Sequence, residues 1–94
     1  MRVRWLRKAL RNLDEEAAYV SADSASAARL VVERVLRSVS QLADQPGLGR
    51  PGRVPGTREL VLIGTHYIVP YRVRGEAIEI LRVFHTSRRL PGRW

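Results

Sequence analysis

Glu59-Leu60-Val61-Leu62-Ile63, closed by Gly64-Thr65, is followed by His66-Tyr67-Ile68-Val69-Pro70-Tyr71-Arg72-Val73, by Arg74-Gly75-Glu76, and by Ala77-Ile78-Glu79-Ile80-Leu81-Arg82-Val83-Phe84. The three runs are short, rich in β-branched and aromatic residues, and bounded by glycine, the pattern of strands joined by tight turns. Their spacing predicts an antiparallel meander. Pro70 has no amide hydrogen to give to a ladder, so it belongs at a bulge or on the unpaired side of its strand. Strict alternation along the third run places Ile78, Ile80, Arg82 and Phe84 on one face and Glu79, Leu81, Val83 and His85 on the other.

Upstream of these strands, Pro46 to Gly56 holds four of the seven glycines and three of the five prolines, so a surface loop carrying Arg50 and Arg53 is expected there. Before it the apolar period changes. Leu6, Leu10, Leu13, Ala17 and Val20 recur three or four residues apart, which predicts one amphipathic helix. Ser21-Ala22-Asp23-Ser24 interrupts the pattern with capping oxygens, and a second helix is predicted to run to about Asp44 with Ala28, Val31, Val32, Val35, Val39 and Leu42 on its apolar stripe. Arg2-Val3-Arg4-Trp5 has the pattern of a short additional strand. The resulting expectation is a single domain over residues 1–94 of the α+β class, an N-terminal α-helical hairpin packed on one face of a small twisted antiparallel sheet.

The chain has 94 residues, with 17 Arg plus Lys against 9 Asp plus Glu, a net charge of +8. All of the cations except Lys8 are arginine, which keeps its charge and offers a planar fork to phosphate or carboxylate. A polyanionic partner is therefore expected, either nucleic acid or an acidic protein surface. GC-rich coding produces the same arginine bias without any selection for binding. Without cysteine, and with His66 and His85 the only histidines, there is neither a disulfide framework nor a zinc cluster to expect. No metal or cofactor is predicted. No apolar run reaches the length of a membrane span, and the absence of cysteine suits a reducing cytoplasm.

Chemistry-bearing side chains gather in the last third of the chain. Arg82, on an otherwise apolar face, must reach the sheet rim, pair with a carboxylate, with Glu59 and Glu79 available, or face a functional groove. His85, followed by Thr86, Ser87, Arg88 and Arg89, is either a hydrogen-bonded residue at a strand end or a general acid–base in RNA cleavage. His66 is expected to face solvent. Tyr67 and Tyr71 share a face and serve either core packing or base stacking. The glycine-rich loop lacks the lysine and the strand–loop–helix context of a phosphate-binding loop.

Gly49-Arg50-Pro51-Gly52, Pro55-Gly56-Thr57-Arg58-Glu59-Leu60, Tyr67-Ile68-Val69-Pro70-Tyr71-Arg72-Val73 and Ile80-Leu81-Arg82-Val83-Phe84-His85-Thr86-Ser87-Arg88, in this order after a helical hairpin, closely resemble the RelE/ParE superfamily of bacterial toxins. The resemblance covers nearly the whole chain. It implies the toxin of a type II toxin–antitoxin pair, neutralised by a small, acidic, partly disordered antitoxin. RelE-like members cut mRNA on the ribosome with basic residues on the central strands. In an ungapped reading, Glu59 and Val61 stand where the lysines of those members would fall, and Ile68 stands where their arginine would fall. Arg58 with Leu60, Tyr71-Arg72-Val73, and Arg82-Val83 followed by His85 and Arg88 are more similar to ParE members, which inhibit DNA gyrase.

The resemblance thus implies a gyrase-directed protein inhibitor whose target-binding residues would be Arg58, Arg72, Arg82, His85, Arg88 and Arg89. The alternative it leaves is a ribosome-dependent endoribonuclease, with Arg72, Arg82, His85 and Arg88 as the catalytic set and ribosome and mRNA as partners. A third reading is a non-toxic, basic nucleic-acid-binding module. For the antitoxin, Val35, Val39 and Leu42 on the second helix, together with Leu90 and Trp94 of the tail, are the expected contacts. Trp94 has a second placement open to it, folded back on the core.

Overall fold

The computed structural model describes residues 1–87 and 90–94. Its elements in chain order are β1 (Arg2–Trp5), α1 (Arg7–Ser21), α2 (Ala25–Ser40) with a closing 3₁₀ turn at Gln41–Ala43, β2 (Arg50–Pro51), β3 (Arg58–Val61), β4 (Tyr67–Arg74), β5 (Ala77–Ile80) and β6 (Phe84–His85). Both helices lie on one side of the sheet. Between them the Ser24 side chain caps α2 by accepting from the Ala27 amide at 3.1 Å. The α2 stripe is as expected, since Ala28, Val35, Val39 and Leu42 are all buried. In α1 the buried line runs instead through Ala9, Leu13 and Glu16, and Leu10 is left 47% exposed. Glu16 is accommodated on that line because the Tyr67 hydroxyl reaches its carboxylate at 3.3 Å.

The strands are ordered β1-β5-β4-β3-β2, with β6 also pairing β4. The sheet is mixed rather than wholly antiparallel, because β1 runs parallel to β5 in the register Arg2↔Ala77 to Trp5↔Ile80. Four residues carry no signal for pairing direction. What sets it is α1, which starts immediately after β1, while the Leu6 amide extends the ladder onto the Ile80 carbonyl at 3.0 Å. Strands β3, β4 and β5 form the expected antiparallel meander. Gly75, with φ of 60°, supplies the left-handed residue in the two-residue turn between β4 and β5.

The alternation expected along residues 78–85 breaks. Strand β5 stops at Ile80, and the amides of both Leu81 and Arg82 turn onto the Pro70 carbonyl, at 2.9 and 3.4 Å. Pairing with β4 resumes one step out of phase at Phe84 and His85. Val83 therefore joins Ile78 and Ile80 in the core, and Arg82 does not share their face. Pro70 marks the break because it presents no amide to either strand.

The core lies between the hairpin and the sheet, built from Ala9, Leu13, Val35, Val39 and Leu42 below Leu60, Leu62, Tyr67, Val69, Tyr71, Ile78, Ile80 and Val83. Tyr67 and Tyr71 are thus core residues, and neither is open to base stacking. The Tyr71 hydroxyl donates to the Pro46 carbonyl at 2.7 Å and accepts from the Gly49 amide at 2.8 Å, fastening the proline-rich loop to the sheet. No helix among the described residues is long and apolar enough to cross a membrane.

Candidate functional site

The described cations expected to meet a target, Arg58, Arg72 and Arg82, are held within the fold. Arg58 donates to the Gly49 carbonyl at 2.8 Å. Arg72 grips Glu79 at 2.6 Å, with Arg4 and Arg74 each 3.8 Å from the same carboxylate. The hydrogen bond from Arg72 is the largest influence on the Glu79 carboxyl and carries it below its ordinary value of 4.5; burial opposes this, and the charges of Arg72, Arg74 and Arg4 reinforce it. Glu59, 2% exposed, receives Arg50 at 3.1 Å and the Arg53 amide at 2.9 Å.

Both carboxylates expected as partners of Arg82 are therefore taken. Arg82 instead donates through Nε to Asn12 Oδ1 at 2.7 Å, and through Nη1 to the main-chain oxygen of Trp94 at 3.4 Å. Its guanidinium sits 4.6 Å from the centre of the Phe84 ring. Asn12 is a residue that sequence reasoning missed. It lies beside the apolar stripe of α1 with nothing local to mark it, and its partners are seventy positions away.

Around His85 a small cluster forms. Its ring is 5.4 Å from His66 and edge-on to Tyr67 at 5.1 Å. The Ser87 amide donates to Nδ1 at 3.2 Å and the Ser87 Oγ lies 2.6 Å from the same atom, which leaves Nε2 to carry the ring proton of a neutral imidazole. Arg72 does not join this cluster. His85 pairs with Tyr67 at one end of β4 and Arg72 stands near the other, five residues along the strand, roughly 17 Å at about 3.4 Å per residue. The proposed catalytic set of Arg72, Arg82, His85 and Arg88 is thus not gathered at one point by its described members; Arg88 and Arg89 lie outside the described residues. No three His, Asp or Glu side chains among the described residues come together as a metal site.

The positions compared with nuclease cations are occupied as follows. Glu59 is buried under two arginines, Ile68 is 2% exposed, and Val61 is 41% exposed. Val61 belongs to a groove of about 560 Å³ between the end of α2 and β3, with Leu48, Leu60, Val61, Leu62 and Ile63 as an apolar floor and Arg34, Arg37 and Arg50 among its walls. Ile63 projects 81% exposed, and the Arg34 guanidinium caps its carbonyl at 2.6 Å. Strand β2 covers β3 only at Arg58 and Glu59, so the outer edge at Leu60–Val61 has no strand partner among the described residues.

Val35, Val39 and Leu42, expected to meet an antitoxin, are 0–1% exposed. They form the inner stripe that packs on the sheet, so a partner can reach α2 only through its outward residues, such as Leu30 at 65% and Leu36 at 45%. Leu90 is half-buried. Trp94 does fold back, but onto the sheet face away from the helices and not onto the core. Its ring lies 5.4 Å from Phe84 and its Nε1 donates to Thr57 Oγ1 at 3.4 Å.

Comparison with known proteins agrees with this arrangement. A family model described as the ParE toxin of the type II toxin–antitoxin system, parDE, matches residues 3–90. The protein Y4kP of Sinorhizobium fredii, whose name marks it as a candidate toxin, is 48% identical over 90 residues, covering 96% of this chain and 93% of its own length. A solved chain from the chromosomal ParDE TA system of P. aeruginosa superposes with a TM-score of 0.80 at 35% identity, covering 90% of this chain and 95% of that one. With a helical hairpin on a mixed sheet and a family match across nearly its whole length, the chain belongs to the ParE toxins of type II toxin–antitoxin systems.

Proposed function

We propose that this toxin acts as a protein inhibitor of DNA gyrase, without cutting RNA, and that a small acidic antitoxin neutralises it. The observation that carries the target reading is the arrangement along β4. Among the described residues, His85 and Arg72 stand at opposite ends of that strand, and Glu59 and Ile68, at the positions compared with nuclease cations, are a buried acid and a buried aliphatic. Family membership supports inhibition of a topoisomerase in place of phosphodiester chemistry.

The α2–β3 groove fits the antitoxin. An extended segment adding to the open edge of β3 would gain main-chain hydrogen bonds, with apolar side chains placed on the floor and acidic ones beside Arg34, Arg37 and Arg50. A chain that is disordered when free can wrap such a surface and order as it binds.

Purified toxin added to a gyrase supercoiling assay is expected to block supercoiling or to trap cleaved DNA, and the antitoxin to restore activity. No effect at micromolar toxin would overturn the target, and codon-related mRNA cuts during translation would reassign it to the ribosome.

A further inference from the structure

On the sheet face away from the helices, two rows of residues run across three strands in register. One row is Arg4, Glu79 and Arg72, and the next is Arg2, Ala77 and Arg74. Four guanidinium-bearing residues therefore frame a rectangle, roughly 10 Å across two strand spacings and about 7 Å along the strands. Three of the four, Arg2, Arg4 and Arg74, line a basin of about 750 Å³ together with Met1, Ala77 and Glu79. Glu79 is spent mainly on Arg72, at 2.6 Å; Arg4 and Arg74 stand off at 3.8 Å with side chains 63% and 69% exposed. Glu76, at the rim, is the other acid lining the basin. With four guanidiniums to two carboxylates, the cluster keeps a positive surplus.

We propose that this arginine rectangle binds the phosphate backbone of a DNA duplex. An acidic protein would be expected to seek an apolar or aromatic anchor to bury, and this basin is charged where the α2–β3 groove is apolar. A single strand would be expected to stack its bases on exposed aromatic rings, and none of the basin's lining residues is aromatic. What the rectangle offers is fixed positive charge on a rigid sheet, which suits a regular array of phosphates and no base sequence in particular. The surface lies on the opposite side of the sheet from α2, so the two surfaces are separately addressable.

The test is fluorescence anisotropy of a labelled random-sequence DNA duplex with the full-length toxin alone, titrated at several salt concentrations. The logarithm of the affinity should fall against log salt with a slope of roughly −3, at about −0.9 per phosphate engaged. Replacing Arg2, Arg4 and Arg74 together with Ala should weaken binding on the order of tenfold or more and flatten the slope by about one for each arginine lost. Should the triple variant not fold by circular dichroism, the single variants Arg2→Ala and Arg74→Ala, both at exposed positions, should each remove about one unit of slope. A matched triple on the helices, Lys8→Ala with Arg11→Ala and Arg29→Ala, all at exposed positions, should retain binding close to that of the parent. Equal losses in the two triples, tighter binding of single-stranded DNA of the same length, or preference for polyglutamate over the duplex would each overturn the assignment. No topoisomerase is present in this assay, so its failure would leave gyrase inhibition untouched, and the reverse also holds.

Discussion

Glu79 holds one negative charge among several guanidiniums, and its ionisation is coupled to folding. Its folded carboxyl titrates below the ordinary 4.5, chiefly because Arg72 donates to it. A carboxyl with a folded value below its unfolded one stabilises the fold while ionised, so its contribution is complete above pH 4.5 and fades as pH drops through the depressed value. Denaturant midpoints measured against pH should therefore show Glu79→Gln less stable than the parent at neutral pH, with the gap closing under acid. A gap that stays constant would mean that the carboxylate is not the coupled group. Tyr71 is important for a different reason. Its hydroxyl satisfies the buried Gly49 amide, and a Cβ at Gly49 would meet the Tyr71 ring at 2.6 Å, so the two residues are fitted to one another. Tyr71→Phe leaves that amide without its partner and should cost about 1–3 kcal/mol in equilibrium unfolding.

Among the elements, the break between β5 and β6 has the widest consequences. It turns Val83 into the core, sends Arg82 to Asn12, and leaves the Val83 amide donating to the same Asn12 Oδ1 at 3.2 Å. Asn12→Ala would orphan that amide beside a residue only 1% exposed, so a loss of about 1–3 kcal/mol is expected. Asn12→Asp, which keeps an acceptor, should recover most of it; equal melting temperatures for the Ala variant and the parent would refute the role. The same break shows where the sequence stopped being readable. The second helix, the loop and the three central strands follow from local periodicity, and Ile78 and Ile80 lie inward as alternation requires. A rule of period two cannot register one extra residue, and only Pro70, without its amide, hinted that the ladder would falter. The direction of β1 and the Asn12–Arg82 contact depend on partners seventy or more positions away, beyond any local pattern. The α2 stripe was legible as a stripe, but not as an inner one: Val35 and Leu42 look like interface residues until the sheet that covers them is in place.

For the molecule as a whole, the sheet separates two kinds of surface. The α2–β3 groove is apolar with a basic rim, and the opposite face carries the arginine rectangle. With the antitoxin in the groove, as proposed, neutralisation should respond to substitutions there and duplex binding to substitutions in the rectangle. Ile63→Asp places a carboxylate on the most exposed apolar residue of the groove, where it would repel an acidic segment without touching the core. Cells expressing this variant should remain growth-inhibited in the presence of an antitoxin that rescues the parent, and an unchanged rescue would place the antitoxin elsewhere. The tail rests on the sheet, outside both the groove and the basin, through one side chain. Trp94 rests on Phe84 beside the Arg82 guanidinium, while Trp5, the other tryptophan, packs against the core on the far side of the sheet. The two indoles thus sit in unlike surroundings, and exchanging Trp5 for Phe would leave a single indole whose emission wavelength registers, in real time and without a label, whether the chain terminus is seated or has lifted away.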